Sequence, residues 1–181
     1  MTKEQLKKTF LNLLRESAQY QMLPMPDMVV LYLSNLLYSI SGPNYIETFD
    51  PSKKLADIYI KAAESKARSV RAIRYKEIGD TTLVRLGLFP ESLKKEVVSK
   101  GYYKEMGTVA YEQVYMTRKD PVYMGLYESY DNCINMLHGV KMLSCKDDII
   151  ALYDFWEDTG SIFAKNKLFK LGMMVDKKCQ D

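Results

Sequence analysis

The residues that most often carry catalysis or bind metals are scarce in this chain. It contains one histidine, His138, and three scattered cysteines, Cys133, Cys145 and Cys179. This inventory argues against zinc clusters of cysteine and histidine, paired-histidine metal ligands, Ser-His-Asp relays and redox dithiols. We therefore expect neither a metal ion nor a cofactor.

His138 lies in a segment whose pattern predicts a helix. Its chemical role would be that of a lone general base or an axial haem ligand. No carboxylate stands in helical register with it, because Asn135 is an amide and Asp131 lies seven residues earlier. We interpret His138 as a structural histidine that is either half-exposed or bonded to a backbone carbonyl.

The most basic stretch of the chain runs from Lys61 to Lys76. Within it, Arg71 and Arg74 share one helical face, and Arg68 extends that face. Such a face could bind a phosphate, a carboxylate or an RNA backbone, or it could simply be solvated. The net charge is only +3 and no nucleic-acid motif accompanies the arginines, so we expect no nucleic-acid partner.

A second group of candidate residues surrounds Asp80. This carboxylate follows Gly79 inside a helical pattern, which indicates either close helix packing or a kink, with Asp80 available to cap or pair. Arg74 and Arg85 are the expected partners. Tyr111 lies two turns after Tyr103, so both hydroxyls could reach a shared buried group such as Asp80. The pattern predicts either a hydrogen-bonded packing hub or a polar patch at the mouth of a pocket. The candidate ligand-binding residues are Arg71, Arg74, Asp80, Tyr103 and Tyr111.

Two glycines in the same region have predicted roles. Gly87 precedes Leu88-Phe89-Pro90 and is typical of a left-handed residue that ends a helix. Gly107 stands one turn after Tyr103 and should let another helix approach closely.

The region from 79 to 111 also carries a recognisable pattern: GD, then G-x-FP-E-x-L, then YY-x-x-MG-x-x-AY. This pattern resembles that of a family of uncharacterised bacterial proteins of about this length. The resemblance covers the middle part of the chain. It implies a bacterial origin and a helical structure, and it implies no activity.

Helical periodicity recurs along the chain, and sustained alternation typical of strands does not. Thr2-x-x-Gln5 is a capping-box pattern, and the segment Asp27–Ile40 is apolar nearly all round, as in the buried central helix of an all-α domain. The main predicted helices with defined bounds cover residues 2–20, 27–40, 67–86, 120–143 and 163–174. A further helix is predicted to begin at Asp50-Pro51. Another follows residue 145, and its inward-facing residues should be Ile149, Ile150, Tyr153 and Trp156. We predict one all-α domain over residues 1–181, a globular bundle of about seven or eight helices with little or no β structure.

Composition limits the class of protein. The apolar fraction of 47% and the charged fraction of 27% are those of a folded globular domain. The most apolar run, Met28–Leu37, is half of the ~20 residues that a membrane span needs. The charged start of the chain lacks the pattern of a secretory signal, and the cysteines do not stand in pairs, so we expect a cytoplasmic protein.

The function predicted from these features is non-enzymatic. The chain shows no catalytic constellation, and its 14 tyrosines and 11 methionines suit an interface. We therefore expect it to act through contacts with a protein partner, and regulation is one role that such contacts could serve. The same residues could instead only fill the core. One alternative is a binder of an apolar or amphipathic small molecule, such as a lipid, an isoprenoid or haem, in a cavity between helices. A further alternative is an enzyme that uses Tyr, Asp and Arg.

Overall fold

A computed structural model describes residues 2–42, 55–95, 98–144 and 148–175. These residues form nine α-helices and one 3₁₀ helix, and they contain no β-strand. The prediction of an all-α fold is confirmed. In chain order the α-helices are α1 (Lys3–Gln21), α2 (Asp27–Ile40), α3 (Leu55–Glu64), α4 (Arg68–Leu88), α5 (Lys100–Arg118), α6 (Pro121–Glu128), α7 (Tyr130–Ser144), α8 (Ile149–Thr159) and α9 (Ile162–Lys170), and the 3₁₀ helix, Pro90–Lys95, follows α4.

Local sequence signals set several helix ends. The Thr2 hydroxyl accepts a hydrogen bond from the Gln5 amide, and the Gln5 side chain accepts one from the Thr2 amide, which completes the predicted capping box. Asp120 caps α6 through the Val122 amide, ahead of Pro121. The predicted helix start at Asp50-Pro51 lies outside the described residues.

Two predicted helix boundaries are wrong. The helix expected over 120–143 is interrupted at Ser129, which caps the C terminus of α6 by donating its backbone N–H to the Gly125 carbonyl, and α7 begins at the next residue. Gly87 does not end α4 in a left-handed conformation, because the helix continues to Leu88 and Phe89 follows as its cap. Gly87 instead serves packing, since a Cβ there would lie 2.6 Å from the Cβ of Leu137.

The central helix of the bundle is α4 rather than α2. Every residue of α4 from Ile78 to Gly87 is buried, whereas α2 leaves Met28 and Leu31 about half exposed. The main core gathers apolar side chains from α1 to α7 around α4. The prediction favoured α2 because hydropathy alone ranks it higher. The polar residues that α4 buries, Asp80, Thr82 and Arg85, bond instead to tyrosines of neighbouring helices.

A second, smaller core lies under α8 and α9 and includes Trp156, Phe163 and Leu168. The predicted inward positions of Trp156 and Tyr153 agree with this core, where Trp156 is buried and Tyr153 packs at its edge. Ile149 and Ile150, which were also expected to face inward, are exposed, since the buried face of α8 begins one turn later.

Gly107 allows a close approach between helices, as expected. A Cβ at this position would lie 2.0 Å from the Tyr130 hydroxyl and 2.3 Å from Oγ1 of Thr82, so a neighbouring helix would have to shift. We expect Gly107→Ala to lower the free energy of unfolding by about 1–3 kcal/mol. The matched control is Gly101→Ala in the first turn of α5, where the nearest atom is 3.7 Å away; it should be neutral or stabilising. Equal urea midpoints for the two variants would contradict this account.

Candidate functional site

The side chain of Asp80 is bonded to donors from three helices. One carboxylate oxygen accepts hydrogen bonds from the hydroxyls of Tyr32 at 2.5 Å and Tyr111 at 2.7 Å. The other oxygen accepts from the ammonium group of Lys76 at 2.5 Å. Asp80 is 8% exposed. The buried carboxylate is thus paired and hydrogen-bonded, which offsets the cost of removing it from water.

Two glycines bring these groups within reach. Gly79 lies against the ring of Tyr111, because a Cβ there would lie 2.6 Å from Cε1 of that ring. On α5, one turn before Tyr111, Gly107 makes room for the hydroxyl of Tyr130, which lies 2.9 Å from Oγ1 of Thr82. Since that hydroxyl of Thr82 donates to the Ile78 carbonyl, Tyr130 donates to Thr82.

Burial and the nearby carboxylate keep the tyrosines protonated. Burial, followed by the negative charge of Asp80, raises the pKa of Tyr32 and the pKa of Tyr111 well above their ordinary value. Burial also raises the pKa of Tyr130, with its hydrogen bond to Thr82 opposing the shift. All three phenols therefore act as neutral donors at physiological pH. This arrangement matches the predicted packing hub.

The other predicted site residues lie elsewhere. The hydroxyl of Tyr103 accepts a hydrogen bond from Arg85 at 3.5 Å and does not bond to Asp80. Arg71 donates two hydrogen bonds, of 2.8 and 3.2 Å, to the Ser65 carbonyl and so ties the turn between α3 and α4. Nε of Arg74 is buried and has no hydrogen-bond partner among the described residues. Asp80 pairs with Lys76 rather than with Arg74 or Arg85.

The structure therefore brings Asp80 and Tyr111 together and separates both from the remaining candidates. A ligand-binding role for the five residues stays a prediction.

His138 is buried in the core with one ring nitrogen bonded. Its Nε2 lies 3.0 Å from the Leu86 carbonyl, and because a carbonyl can only accept, Nε2 carries the proton. The ring meets Phe155 edge-on at 5.1 Å. Burial lowers the pKa of His138 to about 4, and the charges of Lys141 and Lys100 add to the shift. The carbonyl-bonded interpretation of His138 agrees with this geometry, and the residue is not half-exposed.

An apolar cleft of about 330 Å³ opens where α2, α4 and α7 end. Its lining is apolar except for two serines and two charged residues at the rim, Glu91 and Lys141, which form an ion pair at 2.9 Å. The lining residues are Phe10, Leu37, Ile40, Ser41, Leu88, Phe89, Glu91, Val140, Lys141 and Ser144. Sequence reasoning missed this cleft because its residues come from five elements, each of which shows only an ordinary core face.

Comparisons with known proteins give no relative. No protein-family model matches the chain, and neither a curated protein nor a solved structure matches it. The resemblance noted for residues 79–111 therefore stays a prediction. Within the described ranges, no helix is both long and apolar enough to cross a membrane, and no three metal-binding side chains lie close enough to hold an ion.

Removal of the Asp80 carboxylate should destabilise the protein. Asp80→Ala leaves the buried phenol of Tyr111 and the partly buried phenol of Tyr32 without their acceptor, so we expect the free energy of unfolding to fall by about 1–3 kcal/mol in urea denaturation. The control is Asp131→Ala, which removes an exposed ion pair with Lys104 and should cost less than about 0.5 kcal/mol. An unchanged unfolding midpoint for Asp80→Ala would show that the cluster does not support the fold.

Acid should destabilise the fold through His138. Its pKa is near 6.5 when unfolded and about 4 when folded, so the stabilisation is complete above pH 6.5 and is lost as the pH falls toward 4. Between pH 7 and 4.5 the wild type should lose about 2 kcal/mol more than His138→Gln, whose amide can still donate to Leu86. Chemical denaturation at both pH values measures this difference. Parallel pH curves for the two proteins would contradict the assigned protonation state.

Proposed function

We propose that this protein acts through protein–protein contacts and binds an amphipathic segment of a partner in the cleft between the ends of α2, α4 and α7. The observation that carries the proposal is the cleft itself, a concave apolar surface of about 330 Å³ between helices. Protein interfaces concentrate their binding energy where aromatic or aliphatic side chains enter such pockets. The space suits one or two apolar side chains of a partner.

The charges around the cleft favour a partner segment with a basic residue beside its apolar ones. Three helix C termini surround the opening, and each carries the equivalent of about half a negative elementary charge. Lys141 offsets part of this charge, but its ammonium group is already paired with Glu91. A lysine or arginine of the partner would meet the remaining carbonyl ends.

The cleft also supports a second candidate function, the binding of an apolar or amphipathic small molecule such as a lipid or an isoprenoid. Its volume falls at the lower end of the ~300–1,000 Å³ range of ligand pockets. A cytoplasmic location belongs to both proposals. It is supported by Cys133, a buried and unpaired thiol whose pKa burial raises to about 12.

Selection of random 12-residue peptides displayed on phage tests the proposal. We expect the enriched peptides to combine spaced apolar residues with a lysine or arginine, and to bind with micromolar affinity by calorimetry. Phe89→Ala removes a wall of the cleft and should weaken binding at least about tenfold. The control is Met116→Ala, which also removes an exposed apolar side chain but lies on α5, away from the cleft; it should bind like the wild type.

Peptide selection and native mass spectrometry together separate the two candidate functions. A failure to enrich any peptide, or affinities that do not change in Phe89→Ala, would overturn the protein-partner proposal. Native mass spectrometry of the gently purified protein tests the small-molecule candidate. An added mass that is lost on denaturation, and that is absent from Phe89→Ala, would favour the small molecule.

A further inference from the structure

A second groove, which shares no residue with the cleft, lies between α3 and α5. It has a volume of about 240 Å³, and its lining combines two aromatic rings, a carboxylate and a thioether. The lining residues are Tyr59 from α3 and Tyr102, Glu105, Met106 and Val109 from α5. This combination differs from the mainly aliphatic and phenylalanine lining of the cleft, whose two charged rim residues pair with each other, and it indicates a different kind of occupant.

The two aromatic walls are supported from behind by other rings. Tyr59 meets Tyr75 edge-on, with ring centroids 5.6 Å apart. Tyr102 meets Tyr103 at 6.3 Å and an interplanar angle of 86°. Edge-to-face contacts of this kind fix the orientation of a ring. Tyr102 nevertheless stays 43% exposed, so its ring remains accessible from solvent.

The carboxylate in the groove has no cation partner among the residues that the structure describes. Glu105 is exposed, and within the described part of the chain it forms neither an ion pair nor a hydrogen bond. Two other surface carboxylates are paired, Asp131 with Lys104 and Asp158 with Lys94. Glu105 thus contributes a negative charge beside two π systems, with no partner among the described residues.

We propose that this groove binds an organic cation, that is, an alkylated ammonium or a guanidinium group. The faces of tyrosine rings attract cations through the ring quadrupole, and the attraction is strongest when water is excluded from the cation. The Met106 sulfur is a polarizable contact for the alkyl substituents. Glu105 supplies the opposite charge. An anion would be repelled by Glu105, and a neutral apolar ligand could contact the rings and Met106 but would gain nothing from the charge of Glu105.

Such a cation has two sources, a free small molecule or a lysine or arginine side chain of a protein. The probes that distinguish them are tetramethylammonium chloride for the first, and n-butylammonium and n-butylguanidinium chlorides for the second. Each is titrated into the full-length protein and followed by amide chemical shifts in NMR spectra. Sodium chloride at equal ionic strength and tert-butanol, a neutral molecule of similar shape, are the reference titrations.

We expect saturable shifts at Tyr59, Tyr102 and Glu105 with a dissociation constant on the order of millimolar for the preferred cation. Preference for tetramethylammonium would indicate a small quaternary ammonium ligand, and preference for the butyl cations would indicate a side chain. Equal shifts with tert-butanol, or no saturation by any of the three cations up to about 100 mM, would overturn the proposal.

Exposed positions make the variants informative, because their substitution should not unfold the protein. Tyr102→Leu keeps an apolar wall but removes the π face, and Glu105→Gln removes the charge; each should weaken binding about three- to tenfold. Tyr102→Phe should bind within about twofold of the wild type. Glu157→Gln, on α8, is the charge-matched control and should not alter binding. Wild-type affinity in both Tyr102→Leu and Glu105→Gln would contradict the site.

The proposals for the cleft and for the groove can be tested independently of each other. Phe89→Ala, which damages the cleft, should leave cation binding in the α3–α5 groove unchanged. Loss of cation binding in that variant would mean that the groove between α3 and α5 is not the binding site.

Discussion

A single buried carboxylate organises the centre of this bundle. Asp80 is almost fully buried on α4, and removing a charge from water is favourable only when other groups replace the lost hydration. The replacements come from three directions, the Lys76 ammonium of the same helix and the hydroxyls of Tyr32 on α2 and Tyr111 on α5. Because hydrogen bonds are short and directional, α2 and α5 can pack on α4 in only a narrow range of positions.

The glycines of the central helices follow from that constraint. The Tyr111 ring can reach Asp80 only by crossing the surface of α4 at Gly79, where any side chain would collide with it. The hydroxyl of Tyr130 reaches Thr82 through the space left by Gly107 on α5. Glycine inside a helix costs roughly 0.5–1 kcal/mol relative to alanine. Here that cost accompanies hydrogen bonds that bring α4, α5 and α7 together.

The sequence predicted the all-α class and the caps at Thr2 and Asp120, because each depends on neighbours within one or two turns. It also predicted close packing at Gly79 and Gly107, since a glycine inside a helical pattern indicates it, but it did not identify Tyr130 or Thr82 as the groups that Gly107 faces. It did not predict that α4 is the central helix. Hydropathy treats Asp80, Thr82 and Arg85 as surface residues, and their burial depends on partners 18 to 48 positions away. The same limit applies to Gly87, whose local context indicated a helix end while its actual constraint is Leu137 on α7.

The candidate site was also predictable only in part. Asp80 and Tyr111 were linked correctly because helical register alone places Tyr111 on the inner face of α5. The cleft and the groove between α3 and α5 were not predicted, because each lies between elements that are distant in sequence.

The state of the buried polar groups is the reason why the proposed functions lie at the surface. The Asp80 carboxylate already accepts three hydrogen bonds, and His138 is held neutral by burial with Nε2 on a carbonyl. Glu105, by contrast, is open to solvent beside two aromatic rings, where an arriving cation displaces water rather than an internal partner.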